Sequence, residues 1–128
     1  VTKKLWLLLW LPFLLSAECI DIQALYTTKY EQCSRNAHGS ADELACLDAE
    51  FRRQDARLNR IYRMVRAKIQ PSRRKALRDL QRRWIAYRDA KCTFFNHETS
   101  GSGGVMDVAQ CLVDETIERT VELQFRTY

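Results

Sequence analysis

Apolar residues recur through the middle of the chain at helical spacing. Leu44, Leu47, Phe51, Leu58, Tyr62, Val65 and Ile69 follow one another in steps of three, four and seven, which sets them on one face of an α-helix. Ser40-Ala41-Asp42-Glu43 precedes the run and reads as a capping box, with Ser40 as N-cap and Glu43 reaching back. Pro71-Ser72 ends that helix and can open the next. A second stripe runs through Leu77, Leu80, Trp84, Tyr87 and Phe95, and a third through Val105, Val108, Leu112 and Leu123. Ser100-Gly101-Ser102-Gly103-Gly104 separates them and reads as a loop. No stretch alternates with period two for long enough to be a strand, and there is no internal repeat. The pattern predicts an all-α fold, a three-helix up-down-up bundle over residues 40–128. An irregular N-terminal segment, residues 18–39, precedes it with a short helix at Thr28 to Arg35.

The first seventeen residues have a different character. Lys3 and Lys4 precede an apolar run from Leu5 to Leu15, and Ser16-Ala17 follows with small side chains. About eleven apolar residues are too few to span a bilayer, which takes about twenty, but they fit the apolar core of a removable signal peptide. A buried N-terminal helix would instead leave Trp6, Trp10 and many Leu contiguous. Cys19 lies close enough for a lipoprotein signal, but Glu18 stands where a small residue is expected. Cleavage after Ala17 is the expectation. It leaves about 111 residues, enough for one domain, with no transmembrane span and a periplasmic or secreted location.

Export makes the cysteines informative. Cys33, Cys46, Cys92 and Cys111 are spread through the mature chain, and an oxidising compartment lets them pair. In an up-down-up bundle all four lie toward one end. Local pairs Cys33–Cys46 and Cys92–Cys111 are expected, the second tying the end of one helix to the start of the next, and crossed pairings stay open. Cys19, near the new N-terminus, is left free or bridges two molecules. Without a C-x-x-C spacing, and with only His38 and His97 as further ligands, a structural zinc site is not expected.

The segment Cys46…Glu50…Asp55-x-x-Leu58-Asn59-x-x-Tyr62, followed by Leu77…Gln81-x-x-Trp84-x-x-Tyr87-Arg88-Asp89-x-x-Cys92, resembles the LprI family. Gly103-Gly104 and Cys111…Thr116-x-x-Arg119…Leu123 extend the likeness to roughly residues 33–124. The family takes its name from a mycobacterial lipoprotein that inhibits lysozyme. The resemblance implies an exported, disulfide-bonded helical domain with no cofactor, and lysozyme as a partner.

On helical wheels several polar residues of this signature fall on the apolar stripes. Asp55 lies within the first, Arg88 within the second, and Thr116 and Arg119 within the third, with Asn59 and Gln81 on the flanks. A charge on a core-facing stripe needs a partner. Asp55 is therefore expected to accept hydrogen bonds from Arg88, Arg119 or both, and to set the register of the three helices.

Catalysis is not expected. The two His are far apart on polar segments, no nucleophile stands at a recognisable elbow, and a compact three-helix core offers little room for a cleft. The Gly-Ser run lacks the Lys and the strand–loop–helix context of a phosphate-binding loop.

Charge adds what the helical pattern does not contain. Residues 51–91 hold fifteen Lys or Arg against Asp55, Asp79 and Asp89, whereas residues 18–50 and 92–128 are both net acidic. Arg53, Arg57, Arg60, Arg74, Arg78 and Arg82 fall off the apolar stripes, as a solvated face or as a patch for anions such as lipid phosphates and acidic glycans. Nucleic acid would suit the charge but not an exported protein. Two functions follow. One is a binding protein that blocks a lysozyme or related wall hydrolase, through the Asn96–Gly104 loop with His97, Glu98 and Ser100 or through the acidic flanks. The other is an envelope-associated anion binder using the basic helices. Animal lysozymes are themselves strongly basic, which turns the first function toward the acidic flanks.

Overall fold

The computed structural model describes residues 20–96 and 101–126. Four α-helices order them: α1 (Thr28–Arg35), α2 (Ser40–Lys68), α3 (Arg74–Thr93) and α4 (Gly101–Phe125). Short 3-10 turns at Gln23–Leu25 and Pro71–Arg73 precede α1 and α3. No strand occurs among the described residues, and no helix among them is long and apolar enough to cross a membrane.

α2 and α4 run parallel and form the main packing interface. Leu47 of α2 meets Ala109, Val113 and Ile117 of α4 near one end, and Leu58 meets Leu123 near the other. α3 returns in the opposite sense and packs on α4. Its Leu77 joins Leu58, Ile69 and Leu123 at the far end, and its Cys92 is bonded to Cys111 at the near end. The up-down-up order is thus realised.

The N-terminal segment closes the near end. Tyr26 is buried in the cluster with Leu47, Val113 and Ile117, and Ile22, Leu25 and Tyr30 pack around it. Thr27 caps α1, its hydroxyl accepting from the Tyr30 N–H at 3.2 Å. The Cys33–Cys46 disulfide pins α1 to the first turns of α2, and Cys92–Cys111 pins α3 to α4, with Cα atoms 5.7 and 5.5 Å apart. Both local pairings are as expected. Each closes a loop of modest length, for which the stabilisation is typically about 3 kcal/mol.

Three local expectations are corrected. Ser40 does not cap α2 with Glu43. Gly39 holds the N-cap position without a side-chain bond, and Glu43 accepts instead from Tyr30 Oη at 2.7 Å and Ser34 Oγ at 2.8 Å. The disulfide brings α1 over this turn, and its hydroxyls capture the carboxylate. Asp42 takes the His38 N–H at 3.0 Å. Residues Gly101 to Gly104 are the first turn of α4 rather than a loop. Gly101 has φ +56°, a conformation that costs glycine little and lets the chain enter the helix abruptly. Gly104 is buried, and Met106 packs on the near core. Lastly, the buried face of α3 is Leu77, Gln81, Arg88 and Cys92, with Trp84 half-buried, while Leu80, Tyr87 and Phe95 are exposed. Polar residues occupy the interior positions because their polar ends find partners there. The third stripe shifts similarly: Val105 is exposed, and Ala109, Val113, Ile117 and Leu123 form the core.

Candidate functional site

Two polar systems hold the helices in register, and α4 belongs to both. The first is the α3–α4 seam. From the near end it reads Cys92 to Cys111, Lys91 to Glu115, Arg88 to Thr116 and Gln81 to Arg119. This is the antiparallel spacing of two helices stepping turn by turn. Arg119, 4% exposed, donates from Nε to Gln81 Oε1 at 3.0 Å and from Nη1 to Glu122 Oε2 at 2.7 Å. Arg88 donates from Nε and Nη2 to Asp89 Oδ1 at 2.9 and 2.8 Å. Both guanidiniums lie against Trp84, with Arg88 Cζ 5.1 Å and Arg119 Cζ 5.8 Å from its ring centroid. Phe51 offers Arg88 a second ring at 5.2 Å. Aromatic faces partly replace the water that each cation loses on burial.

Asp55 does not hold the place anticipated for it. Its side chain is 42% exposed, 4.0 Å from Arg88 Nη1, and it accepts from Asn59 Nδ2 at 3.0 Å. Arg119 turns to Gln81 and Glu122 instead. Gln81, Arg88, Thr116 and Arg119 are therefore gathered in the seam, while Asp55 and Asn59 form its solvent rim.

The second system was missed in the sequence. Glu50 is fully buried, and its carboxylate accepts from Thr27 N at 2.9 Å, Thr27 Oγ1 at 2.6 Å, Gln54 Nε2 at 2.7 Å and Arg53 Nε at 2.8 Å. Burial alone would raise its pKa, but the bonds from Thr27, Gln54 and Arg53 outweigh that and hold it below the usual value. Gln54 also donates to the Leu25 carbonyl at 3.1 Å. Across the segment, Tyr26 Oη donates to Asp114 Oδ1 at 2.8 Å. Glu50 and Gln54 stand in helical step with Leu47 and Leu58, and that placement of a charge on an apolar face is the signal that would have found them.

Of the six arginines suggested as an anion patch, three have partners within the protein. Arg53 is committed to Glu50, and Arg74 Nε donates to the Arg66 carbonyl at 3.1 Å across the Pro71 turn. Arg78 stands 3.8 Å from Asp79. Arg60 and Arg82 are exposed and Arg57 half-buried. His97, Glu98 and Ser100 lie outside the described residues. No group of His, Cys, Asp or Glu among the described residues is arranged to hold a metal ion.

The solvent face of α4 has the opposite charge. Asp107, Asp114, Glu118, Val121 and Phe125 fall in steps of seven, four, three and four, one stripe on which Asp107, Glu118 and Phe125 are exposed and Asp114 and Val121 half-buried. Glu115 is engaged by Lys91 and Glu122 by Arg119, but Glu118 has neither a hydrogen-bond nor an ion-pair partner among the described residues. Burial and the neighbouring Glu115 raise the Glu118 carboxyl above its ordinary value. Burial likewise raises Asp114, against the bond from Tyr26.

The family model of the lysozyme inhibitor LprI matches residues 32–123. The chain belongs to the LprI family. The match runs from α1 to Leu123, so it takes in both disulfides and the whole α3–α4 seam of this LprI protein. A curated relative, an uncharacterized protein of Rhizobium meliloti (strain 1021), is 36% identical over 104 residues, covering 70% of this chain and 75% of its own. No solved structure matches the chain. In this chain Gln81, Arg88, Thr116 and Arg119 meet across the α3–α4 seam, and Asp55 and Asn59 lie on its rim. Thr27, the partner of Glu50, precedes the matched region.

Proposed function

We propose that this LprI protein is exported to the bacterial envelope and inhibits a lysozyme, or a related wall hydrolase, by binding it directly. The observation that carries the reading is the family match over residues 32–123, which spans the disulfide-stapled bundle. Two disulfides fit an oxidising compartment outside the cytoplasm. The depressions lined by Ile20, Ile22 and Phe125 and by Phe95 and Asp114 are open to solvent, a shape suited to contact with another macromolecule. In this reading residues 1–17 are a leader removed after Ala17, and the chain inhibits by occupying its target, with no chemistry of its own.

The test uses oxidised protein starting at Glu18, titrated into a basic c-type lysozyme acting on a cell-wall suspension. Saturable loss of lysis near one-to-one stoichiometry is the expected result. Undiminished lysis by lysozymes of several classes, with no binding at micromolar concentration, would overturn the proposal. Amino-terminal sequencing of the envelope fraction checks the leader, and a product retaining Val1 would contradict it.

A further inference from the structure

An apolar groove lies between the N-terminal segment and the last turns of α4. Its volume is about 490 Å³, and Ile20, Ile22, Val121 and Phe125 line it together with Glu118 and Glu122, beside Arg126. Ile20 is 56% and Phe125 74% exposed, an unusual amount of uncovered hydrocarbon at one place. One turn back along α4, a second depression of about 270 Å³ is lined by Phe95, Asp107, Gln110, Cys111 and Asp114. Each therefore combines hydrocarbon or aromatic surface with carboxylates. That combination suits a long cationic side chain, whose stem lies on the apolar wall and whose head meets the acid.

Charge selects the occupant. Within the family region, α4 carries Asp107, Asp114, Glu115, Glu118 and Glu122 against Arg119 alone, while the second half of α2 and all of α3 are crowded with Arg. A basic partner is repelled by α2 and α3 and drawn to α4, so the bipolar surface sets its orientation on approach. An anionic membrane or glycan would meet the wrong sign at this groove. We propose that the groove and the outward stripe of α4 form the docking surface for a basic protein, whose Lys or Arg side chains enter beside Phe125 and Glu118.

The proposal rests on the inhibitor reading and adds the contact face to it. Among the described residues Glu118 makes no hydrogen bond or ion pair, with Lys91 its nearby cation, whereas Glu122 is shared with Arg119 and Arg126.

The experiment compares three variants of the mature oxidised protein by calorimetric titration against a basic c-type lysozyme: Glu118→Lys, Phe125→Ser and, on the opposite face, Arg60→Glu. Glu118 and Phe125 are solvent-exposed, so the melting curves should remain those of the wild type. Each of these two variants should weaken binding about tenfold or more, and Arg60→Glu should leave it equal or tighter. Wild-type affinity in both α4 variants, with inhibition intact, overturns the docking surface and leaves the inhibitor reading standing. Failure of the wild type to bind any lysozyme removes that reading and the docking surface with it. Sedimentation adds one more outcome: a dimer of the wild type that Phe125→Ser dissolves assigns the groove to a second copy and overturns the proposal.

Discussion

Replacing Glu50 with Ala is the sharpest test of how the N-terminal segment is held. The carboxylate has no solvent exposure and accepts four hydrogen bonds, two from Thr27 and one each from Gln54 and Arg53. Its removal leaves these donors facing a cavity. Thr27 and Arg53 are half-buried and regain some water, but the Gln54 amide, 2% exposed, keeps only the Leu25 carbonyl. One buried donor without a partner costs about 1–3 kcal/mol, and breaking a buried charged group away from its partners costs about 3–5 kcal/mol. These overlap, so the sum is about 3–5 kcal/mol of the 5–15 kcal/mol that a domain typically has. At several degrees per kcal/mol for a chain of this size, the melting temperature should fall on the order of 15–25 °C. Thermal unfolding followed by circular dichroism on the oxidised protein measures it. Glu50→Gln should fall between, since its NH₂ group is turned on donors. A Glu50→Ala melting point within about 3 °C of the wild type would show that the clasp contributes nothing, and the reasoning would fail.

Asp55→Ala should cost under about 1 kcal/mol, because the exposed carboxylate makes one loose ion pair, and urea unfolding decides it; a loss of several kcal/mol would restore Asp55 to the core. Replacing Cys92 and Cys111 together with Ser should lower stability by about 3 kcal/mol, read in the same denaturant midpoints. Acid titration has a definite sign. Asp114 and Glu118 have raised folded pKa values, so stability should hold or rise as pH falls from neutral toward the ordinary carboxylate range. Glu50 is depressed, so its contribution, present above that range, is lost on further acidification as the folded protein takes up the proton. A melting temperature that declines steadily from neutrality downward would contradict this order.

The first helical stripe and the short helix at Thr28 to Arg35 were legible because strong periodicity and turn residues agreed there. The disulfide pairs were legible because the bundle's alternation brings their sequence neighbourhoods together. The face of α3 was not. Leu80 and Tyr87 satisfy a helical stripe as well as Gln81 and Arg88 do, and only the position of α4 chooses between them. Arg88 and Arg119 could enter the interior because local carboxylates, Asp89 and Glu122, share their charge while partners distant in sequence complete each site: Phe51 and Thr116 for Arg88, Gln81 and Trp84 for Arg119. The glycines of the α4 start show the same limit: local propensity favours a loop, and the packing of Gly104 and Met106 on the near core decides otherwise. The outward stripe of α4 was present only as an excess of acid in the last third of the chain.

Each disulfide guards one corner of the molecule: Cys33–Cys46 the passage from α1 to α2, and Cys92–Cys111 the passage from α3 to α4. The third corner, at Pro71, has no covalent tie and is held by the Arg74 bond to the Arg66 carbonyl and the packing of Ile69 on Leu77. An unfolded but oxidised chain therefore keeps two crosslinked halves, each closed over a short sequence distance of 13 or 19 residues. The search that remains is a single collision, α2 against α4, whose rate is set by one long loop rather than three. Oxidation thus acts on the folding route as much as on the final state, and a chain that has acquired its crosslinks begins to fold with part of its topology already chosen.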